Sequence, residues 1–327
     1  MANGGSDVLV IGAGVSGLTT AICLLEAGLE VTVRTADLPQ HTTSAVAGAV
    51  WGTHLVGGGK VRQWAALTLD RLRLLGEDPA AGIRELRGLV AVRQADQEPP
   101  GFTHGAGPLA RCDPGELPVG FAGGWRYRVP VATMPVYLDY LTGELIRKGG
   151  DLHVGRPLGR LAEAARSSSA RVIVNCAGLG ARELVPDPAL VPVRGQVVTV
   201  ANPGLSEFFV GDGGDPDAVT YIFPHGAIAL LGGTTEHGNA STAPDPAVAA
   251  RILRDCAAAE PRLAGAAVLA HRVGLRPVRP QVRLEPEELG GGRHVVHNYG
   301  HGGAGVTLSW GCAIAAADEV IRLLGAG

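Results

Sequence analysis

The chain has 327 residues, of which 46% are hydrophobic and 18% are charged, and its formal net charge is −3. This length supports two domains with a large core, and the charge balance argues against a broad basic surface for nucleic acid or anionic lipid. The five cysteines are far apart and include no CxxC pair, which argues against a disulfide framework or zinc ribbon and favours a reducing, cytoplasmic location. No secretory signal or membrane segment is predicted.

The first predicted elements form a βαβ unit. Residues 8–11 are an apolar run typical of a buried parallel strand, and apolar residues then recur at helical spacing until Gly28. Residues 30–34, EVTVR, are the next predicted strand. Gly12, Gly14 and Gly17 stand between the first strand and the helix and give the pattern GxGxxG.

The GxGxxG pattern predicts a dinucleotide site. Its glycines permit a tight turn, close approach of a pyrophosphate and close helix packing, and the helix N-terminus favours phosphate charge. A glycine-rich turn that only packs a helix on a sheet is the alternative, which the βαβ context disfavours. The pattern does not separate FAD from NAD. No acidic residue is clearly placed to bind a ribose, since Arg34 ends the second strand and Asp37 follows later.

Further elements follow in chain order. Residues 41–56 are predicted to be a loop of small residues, and the glycine and proline density of residues 99–124 predicts irregular connections. Helices are predicted over about 61–75 and over 134–150, where apolar residues recur at helical spacing. Residues 171–180, RVIVNCAGLG, are predicted to form a strand that runs into a turn.

The next part of the chain is predicted to be an antiparallel sheet with one helix. The segments VPVRGQVVTV, YIFP and IALLGGT are predicted strands, and the residues between Val210 and Ala218 are a predicted loop. The segment DPAVAARILRDCAAAEP has the pattern of an amphipathic helix. The second domain is therefore predicted to be inserted within the first.

The segment HNYGHGGAGVTLSWG, residues 297–311, admits a metal site, a phosphate cradle or a turn before a helix. His297 and His301 are four apart, but the glycines around them argue that the histidines are not on a helix and so disfavour a metal pair. We predict a strand end, a turn and a helix start, with backbone free to approach a cofactor. No metal site is predicted, and His225, His237, His271 and Cys176 receive no role.

Five segments together resemble the FAD-dependent D-amino-acid oxidase family of bacterial type: the GxGxxG turn, HTTSAVAGAVW, YIFP, GLRPVRPQVRLE and VVHNYGHGGAGVTLSWGCAIAA. The resemblance spans essentially the whole chain. It implies an α/β fold, with a glutathione-reductase-like Rossmann FAD-binding domain and an inserted antiparallel-sheet substrate domain. The expected FAD-binding domain is residues 1–50, 140–185 and 270–327, and the expected substrate-binding domain is residues 51–139 and 186–269.

The resemblance also implies the roles of individual residues. Arg276 would bind the substrate α-carboxylate through its planar fork, Tyr221 would complete carboxylate binding, and the Gly303 carbonyl would accept a hydrogen bond from the substrate amine. The implied FAD contacts are Gly12, Ala13, Gly14, Val15, Ser16, Gly17, Thr42, Thr43, Ala47, Gly48, Val50, Val172, His301, Gly302, Gly303, Ala304, Gly305, Val306 and Thr307.

The implied reaction is oxidative deamination of neutral D-amino acids to 2-oxo acids, ammonia and hydrogen peroxide, by direct hydride transfer to flavin N5 with dioxygen as acceptor. No residue is expected to act as an acid or base, because orientation of the substrate is sufficient. The expected partners are the small-molecule D-amino acid and dioxygen, without nucleic acid or membrane, and a homodimer is a candidate assembly. Phe208, Phe209, Val210 and Val50 are candidates for the apolar side of the pocket.

Alternatives remain at this point. A related flavin amine oxidase would act on glycine, sarcosine, D-aspartate or a dedicated biosynthetic amino acid. A non-catalytic flavin-binding protein or an NAD-linked dehydrogenase would carry the same GxGxxG turn. Eukaryotic relatives often carry a second tyrosine about four positions before Tyr221, and Asp217 stands there in this chain, which leaves the lid and the substrate range open.

Overall fold

A single mixed sheet organises the molecule. The computed structural model describes residues 6–212 and 218–325. The strands within these residues are β1 (Val8–Ile11), β2 (Val31–Thr35), β3 (Ile83–Val92), β4 (Ala110–Arg111), β5 (Gly123–Ala132), β6 (Asp151–Val154), β7 (Val172–Asn175), β8 (Val191–Ala201), β9 (Phe208–Asp212), β10 (Ala218–His225), β11 (Ile228–Thr234), β12 (Glu236–His237), β13 (Val268–Gly290) and β14 (Arg293–His301). The helices there are α1 (Val15–Glu26), α2 (Val61–Leu75), α3 (Met134–Arg147), α4 (Leu161–Arg166), α5 (Ala181–Leu184), α6 (Pro246–Ala259) and α7 (Gly305–Gly325).

Strands β14, β7, β1, β2 and β6 form a parallel half-sheet, in that order. β1 and β7 are buried along their whole length, as expected of central parallel strands covered on both faces. Helices α1 and α7 pack on each other, and α3 packs on α1. This arrangement confirms the predicted βαβ unit and the α/β class of the fold.

Strands β9, β10, β11, β8 and β13 form an antiparallel half-sheet, in that order. The three antiparallel strands predicted from the sequence are confirmed as β8, β10 and β11. β3, β5 and β4 extend it beyond β9. The predicted amphipathic helix is α6, and the Asp245 side chain caps its N-terminus by accepting from the backbone of Ala247 and Val248. Gly211 and Asp212 belong to β9 rather than to the predicted loop. Asp217, the expected lid position, lies outside the described residues.

The long strand β13 joins the two half-sheets. Its first part pairs with β8, where Arg276 stands opposite Val193. Its last part pairs with β14, where Glu285 stands opposite His297, after a register shift between Val278 and Arg283. The parallel and antiparallel half-sheets therefore share one strand.

Helices α2 and α3 pack beside α7. The backbone amide of Gly311 donates to the Thr68 hydroxyl at 2.9 Å, and Trp310 Nε1 donates to the Tyr137 hydroxyl at 2.8 Å. Both helices therefore lie with the parallel half-sheet. The division of the chain into two domains stays a prediction, and these contacts favour grouping both helices with the cofactor region. Among residues 6–212 and 218–325, no helix combines the length and the apolar character needed to span a membrane.

Candidate active site

A cavity of about 860 Å³ runs along the carboxyl ends of the parallel strands and over the antiparallel half-sheet. Open α/β sheets bind ligands at this edge, because the helix N-termini and the loops that follow the strands converge there. Its lining includes the segments after β1, β2, β6, β7 and β14, the loop around residues 41–55, and side chains of β8, β10 and β13. The cavity therefore connects the GxGxxG turn with the predicted substrate residues.

The GxGxxG turn requires glycine at positions 12 and 17 on steric grounds. Gly12 has φ +102°, and a Cβ on Gly12 would lie 2.5 Å from the Cys176 carbonyl oxygen. A Cβ on Gly17 would lie 1.8 Å from the Gly12 carbonyl oxygen. α1 has no acidic residue in its first turn, so its N-terminal amides and dipole face the cavity without a competing carboxylate. This turn has the chemistry of a diphosphate site.

The HNYGHGG segment is a strand end, a turn and a helix start, as the sequence predicts. Gly302 has φ +57°, and a Cβ there would collide with the Leu55 carbonyl. His301, Gly302, Gly303, Gly305, Val306 and Thr307 line the cavity at the N-terminus of α7. The two histidines face different partners, since His297 contacts Glu287 and His301 contacts Asn298.

Loop residues from the segment after β2 form another wall of the cavity. This segment contributes Thr42, Thr43, Ala47, Gly48 and Val50, all of which line the cavity. The Thr43 hydroxyl donates to the Leu275 carbonyl at 3.2 Å, which ties this wall to β13. A Cβ on Gly48 would collide with the Phe223 ring, so the loop passes directly against the floor of the pocket.

Arg276 and Tyr221 lie together on the antiparallel half-sheet. Arg276 Nη1 donates to the Thr234 carbonyl at 2.9 Å, and the guanidinium lies against Gly195, where a Cβ would collide with it. No carboxylate among the side chains that the structure describes, in residues 6–211 and 218–325, lies within 4 Å of Arg276. The guanidinium can therefore receive an anionic ligand.

The Tyr221 ring lies flat over Gly232, where a Cβ would collide with it, and stacks on Phe223 with centroids 4.7 Å apart. Burial raises the pKa of Tyr221, and the positive charge of Arg276 opposes this shift. The hydroxyl therefore stays protonated at neutral pH and can donate a hydrogen bond.

The side walls around this pair are apolar. The apolar side chains that line the cavity here are Val50, Val197, Val210, Val219 and Phe223. The expectation that Phe208 and Phe209 line it is wrong. Phe208 packs against Tyr127, and Phe209 lies on the opposite face of the sheet against Phe121. Alternation along β9 turns only Phe209 away from the cavity, whereas Phe208 shares the face of Val210 and is buried between Tyr127 and Phe223.

Three of the residues expected to contact FAD do not line the cavity: Gly17, Val172 and Ala304. Val172 begins β7 and pairs with Val8 at the start of β1, whereas the GxGxxG turn follows the other end of β1. Gly17 faces the Gly12 backbone, and Ala304 is only 1% exposed. Both residues therefore support the lining residues without contacting the cavity.

Several lining residues were not expected from the sequence. At the nucleotide end they are Arg34, Thr35, Ala36, Asp37, Arg156, Pro157, Leu158, Gly178, Leu179, Gly180, Glu183 and Leu184, and at the substrate end they are His54, Phe102 and Thr235. Residues 156–158 follow the edge strand β6, and their position after a parallel strand is the signal that could have identified them. His54 packs against Phe102 with ring centroids 4.1 Å apart, and burial and the charge of Arg276 lower the pKa of His54 to about 4.

His301 is buried behind the turn in a chain of polar groups. Its Nε2 lies 3.0 Å from Asn298 Oδ1, and Asn298 Nδ2 donates to the Thr20 hydroxyl at 3.1 Å. This pattern assigns the Nε2–H tautomer, because the amide oxygen can only accept. Burial lowers the pKa of His301 to about 4, so the imidazole is neutral at physiological pH.

We expect His301 to make the protein sensitive to acid. Its pKa is lower in the folded than in the unfolded state, so the unfolded chain binds more protons between about pH 4 and pH 6.5. The stabilisation is complete above pH 6.5 and is lost as pH falls towards 4, by on the order of 2 kcal/mol at pH 5. Urea unfolding at pH 7.5 and pH 5, at a fixed FAD concentration, measures this loss. His301→Gln should lose less stability than the unsubstituted protein; an equal loss would contradict the assignment.

The cavity combines a glycine turn with the chemistry of a nucleotide site and, next to it, a pocket with an arginine that can receive a small anion. The family model described as FAD dependent oxidoreductase matches residues 7–319, and the chain belongs to this family. This confirms the resemblance drawn from the residues. A D-amino-acid oxidase of Rubrobacter xylanophilus is 50% identical over 97% of this chain and 95% of the relative. A D-amino-acid oxidase of Streptomyces coelicolor is 46% identical over 95% of each.

Among solved structures, the glycine oxidase of Bacillus cereus superposes with a TM-score of 0.79 at 18% identity, covering 97% of this chain and 95% of that one. At this identity the likeness shows the fold alone. FAD is the cofactor of the family, and the cavity fits it. The glycine turn leaves no room for a Cβ at Gly12, the first turn of α1 carries no acidic residue, and the cavity continues from there to the N-terminus of α7.

Proposed function

We propose that this protein is a D-amino-acid oxidase that converts neutral D-amino acids to 2-oxo acids, ammonia and hydrogen peroxide. Two relatives with this activity in their names are 46% and 50% identical over nearly the whole chain. The observation that carries the proposal is the Arg276–Tyr221 pair, which has no described carboxylate partner and faces the same cavity as the GxGxxG turn. A related amine oxidase acting on glycine, sarcosine or D-aspartate is not favoured by these relatives.

Three contacts would orient the substrate. Arg276 would donate two parallel hydrogen bonds to the α-carboxylate, and the protonated Tyr221 hydroxyl would donate another. The Gly303 carbonyl would accept from the amine. Three fixed points would leave only one enantiomer with its α-hydrogen directed towards the cofactor, so selectivity for a single enantiomer follows from orientation, and the relatives favour the D form.

The chain's own groups would hold the cofactor and position the reacting bond. The turn at residues 12–16 would hold the diphosphate, and the amides of Gly305, Val306 and Thr307 would lie near the ring system, where helix-start dipoles favour negative charge. When bound there, FAD would supply the acceptor for the α-hydrogen, which leaves the substrate as a hydride. The amine lone pair forms the imine, which water hydrolyses to the 2-oxo acid and ammonia. Dioxygen is proposed as the final electron acceptor and yields hydrogen peroxide.

The apolar walls support neutral substrates. Arg276 is needed for the α-carboxylate, and His54 is neutral above about pH 4, so among the described lining residues of the substrate end no second cation remains for an acidic side chain. Burying an unpaired carboxylate against valine and phenylalanine is unfavourable. D-Aspartate and D-glutamate are therefore expected to be poor substrates.

A substrate panel tests this function. The purified protein with FAD would be incubated with D and L forms of alanine, valine, methionine, proline and aspartate, and with glycine and sarcosine, while peroxide is measured. We expect turnover of the neutral D-amino acids and none of the L forms. Highest activity with glycine, sarcosine or D-aspartate would favour the alternative enzyme. A protein that binds no FAD, or whose flavin band is not bleached by any amino acid, would contradict the proposal.

Tyr221→Phe should weaken substrate binding without disturbing the fold. The variant keeps the ring stacked on Phe223 and removes only the hydroxyl. A hydrogen bond to a charged group contributes about 1.5–3 kcal/mol, so KM for a neutral D-amino acid should rise roughly ten-fold or more. Steady-state kinetics measure the change, and an unaltered KM would show that the hydroxyl does not contact the carboxylate.

We further propose a cytoplasmic location, because all five cysteines are free in the structure and four of them are buried. A homodimer stays a prediction from the resemblance, and light scattering of the purified protein would measure the mass in solution.

A further inference from the structure

The orientation of Arg276 depends on the backbone of Thr234. Arg276 Nη1 donates to the Thr234 carbonyl at 2.9 Å, while Gly195 supports the flat face of the guanidinium. Arg276 has no acidic partner among the described residues that could fix it instead. A shift of the Thr234 carbonyl would therefore turn the fork that receives the carboxylate.

The Thr234 side chain ties this carbonyl to the neighbouring strand. Its hydroxyl accepts from the backbone amide of Gln196 at 3.0 Å and donates to the Arg194 carbonyl at 3.3 Å. Thr234 is 3% exposed, so water does not compete for these bonds. The hydroxyl thus bridges β11 to the part of β8 that carries Gly195.

Arg194 makes further hydrogen bonds next to Thr234, and these connect β8 with the segment that follows β11. It is 3% exposed, and its guanidinium donates to Glu236 at 2.6 Å, to Gln196 Oε1 at 2.6 Å, and to the carbonyls of Ala243 and Ser241 at 2.8 and 3.1 Å. A buried arginine with four acceptors holds them in one geometry, because its donors form a rigid planar fork. Through Glu236 it fixes the residue two positions after Thr234.

Gln196 extends the same network to the start of α6. Its side-chain oxygen accepts from the Asp245 amide at 2.8 Å, and its side-chain nitrogen donates to the Asp245 carbonyl at 2.7 Å. Gln196 is completely buried. Residues 236–245 are thus anchored to β8 at both ends, and Thr234 is held at the point where this segment leaves β11.

We propose that Arg194, with Glu236, Gln196 and the Thr234 hydroxyl, is a positioning residue that sets the orientation of Arg276 for carboxylate binding. Arg194 does not line the cavity and acts only through Thr234. The proposal rests on the proposed function for the identity of the carboxylate ligand. A positioning role would explain why Arg194 is buried and hydrogen-bonded so close to Arg276. Protein stability alone does not require this arrangement, because a buried ion pair contributes little to the free energy of unfolding.

The test compares substitutions that loosen the network with those that preserve it. Arg194→Lys keeps the charge but cannot hold four acceptors, and Thr234→Val removes the hydroxyl at nearly constant volume. Thr234→Ser keeps the hydroxyl. Arg262→Lys, in an exposed ion pair with Glu260, is the matched control. For each holoenzyme, steady-state kinetics with D-alanine and calorimetric binding of benzoate, a carboxylate without an amine, would be measured.

We expect Arg194→Lys and Thr234→Val to raise the KM for D-alanine and the Kd for benzoate together, by on the order of ten-fold, with kcat changed less than about three-fold. Thr234→Ser should restore both constants, and Arg262→Lys should leave them unchanged. Unchanged constants with a lowered Tm would overturn the proposal, because the network would then be only structural. If Arg194→Lys does not fold, Glu236→Gln tests the same ion pair with the shape retained.

The outcome separates this proposal from the proposed function. Weaker benzoate binding in the variants of an enzyme that oxidises no D-amino acid would support the positioning role and contradict the function. Turnover of D-alanine with the same constants in all variants would support the function and contradict the positioning role.

Discussion

Arg276→Ala should raise KM for neutral D-amino acids about 100- to 1000-fold, since it removes two charge-assisted hydrogen bonds to the α-carboxylate. The rate of flavin reduction at saturating substrate should also fall, because the carboxylate contact positions the α-hydrogen. Arg276 contacts Thr234 and Gly195 on the antiparallel half-sheet, so FAD content should be unchanged. Stopped-flow absorbance under anaerobic conditions measures reduction, and steady-state kinetics measure KM.

Two comparison variants sharpen this experiment. Arg276→Lys keeps the charge but loses the planar fork, and it should recover only part of the affinity. Arg254→Ala removes an arginine whose side chain is 69% exposed on α6, and it should leave all constants unchanged. If Arg276→Ala retained the kinetics of the unsubstituted enzyme, the carboxylate would have to bind elsewhere and the residue assignment would be wrong.

Gly17→Ala should give a protein that is strongly destabilised and contains little FAD. The added Cβ would lie 1.8 Å from the Gly12 carbonyl oxygen, and this backbone atom cannot move aside by a side-chain rotation. Overpacking costs about 1–3 kcal/mol where side chains can move, so a backbone collision is expected to reach the upper end or exceed it. The turn at Gly12 and the α1 N-terminus would separate, and the diphosphate site would be lost.

Gly143→Ala provides the matched control. Gly143 is also inside a helix, α3, and a Cβ there meets nothing within 4 Å. This substitution should be neutral or should stabilise the protein by about 0.5–1 kcal/mol, because alanine favours helix. The flavin-to-protein absorbance ratio and Tm report both variants. A Gly17→Ala protein with full flavin content and an unchanged Tm would show that the helix can move away from the turn.

The sequence correctly predicted those elements whose conformation depends on residues close to them in the chain. The GxGxxG turn, the helix at 61–75 and the turn after His301 were all predicted, because glycine conformations and helical periodicity depend on neighbouring residues. Arg276 and Tyr221 came from the family resemblance, and the structure brings them together from β13 and β10. Spacing alone could not have paired them, since 55 positions separate 276 from 221 and their meeting depends on the sheet order.

The sequence did not predict those elements and contacts that depend on the pairing of strands far apart in the chain. β3 and β5 were not predicted, although they pair over ten positions, because their partners are about 40 residues apart and β3 mixes alternating with continuous apolar residues. Phe209 was expected in the pocket, but the register of β9 turns it to the opposite face. Residues 156–158 reach the cavity only because β6 joins the parallel edge beside β2.

The shared strand β13 has a consequence for building chimaeric enzymes with altered substrate range. Because it hydrogen-bonds to β8 on one side and to β14 on the other, a crossover point inside it would have to reproduce two sets of backbone bonds at once. If the segment taken from a related enzyme ends before Val268, β13 stays intact. That segment can then include β8, β10, β11 and α6. Recombination between relatives is therefore expected to succeed with junctions outside residues 268–290 and to fail within them.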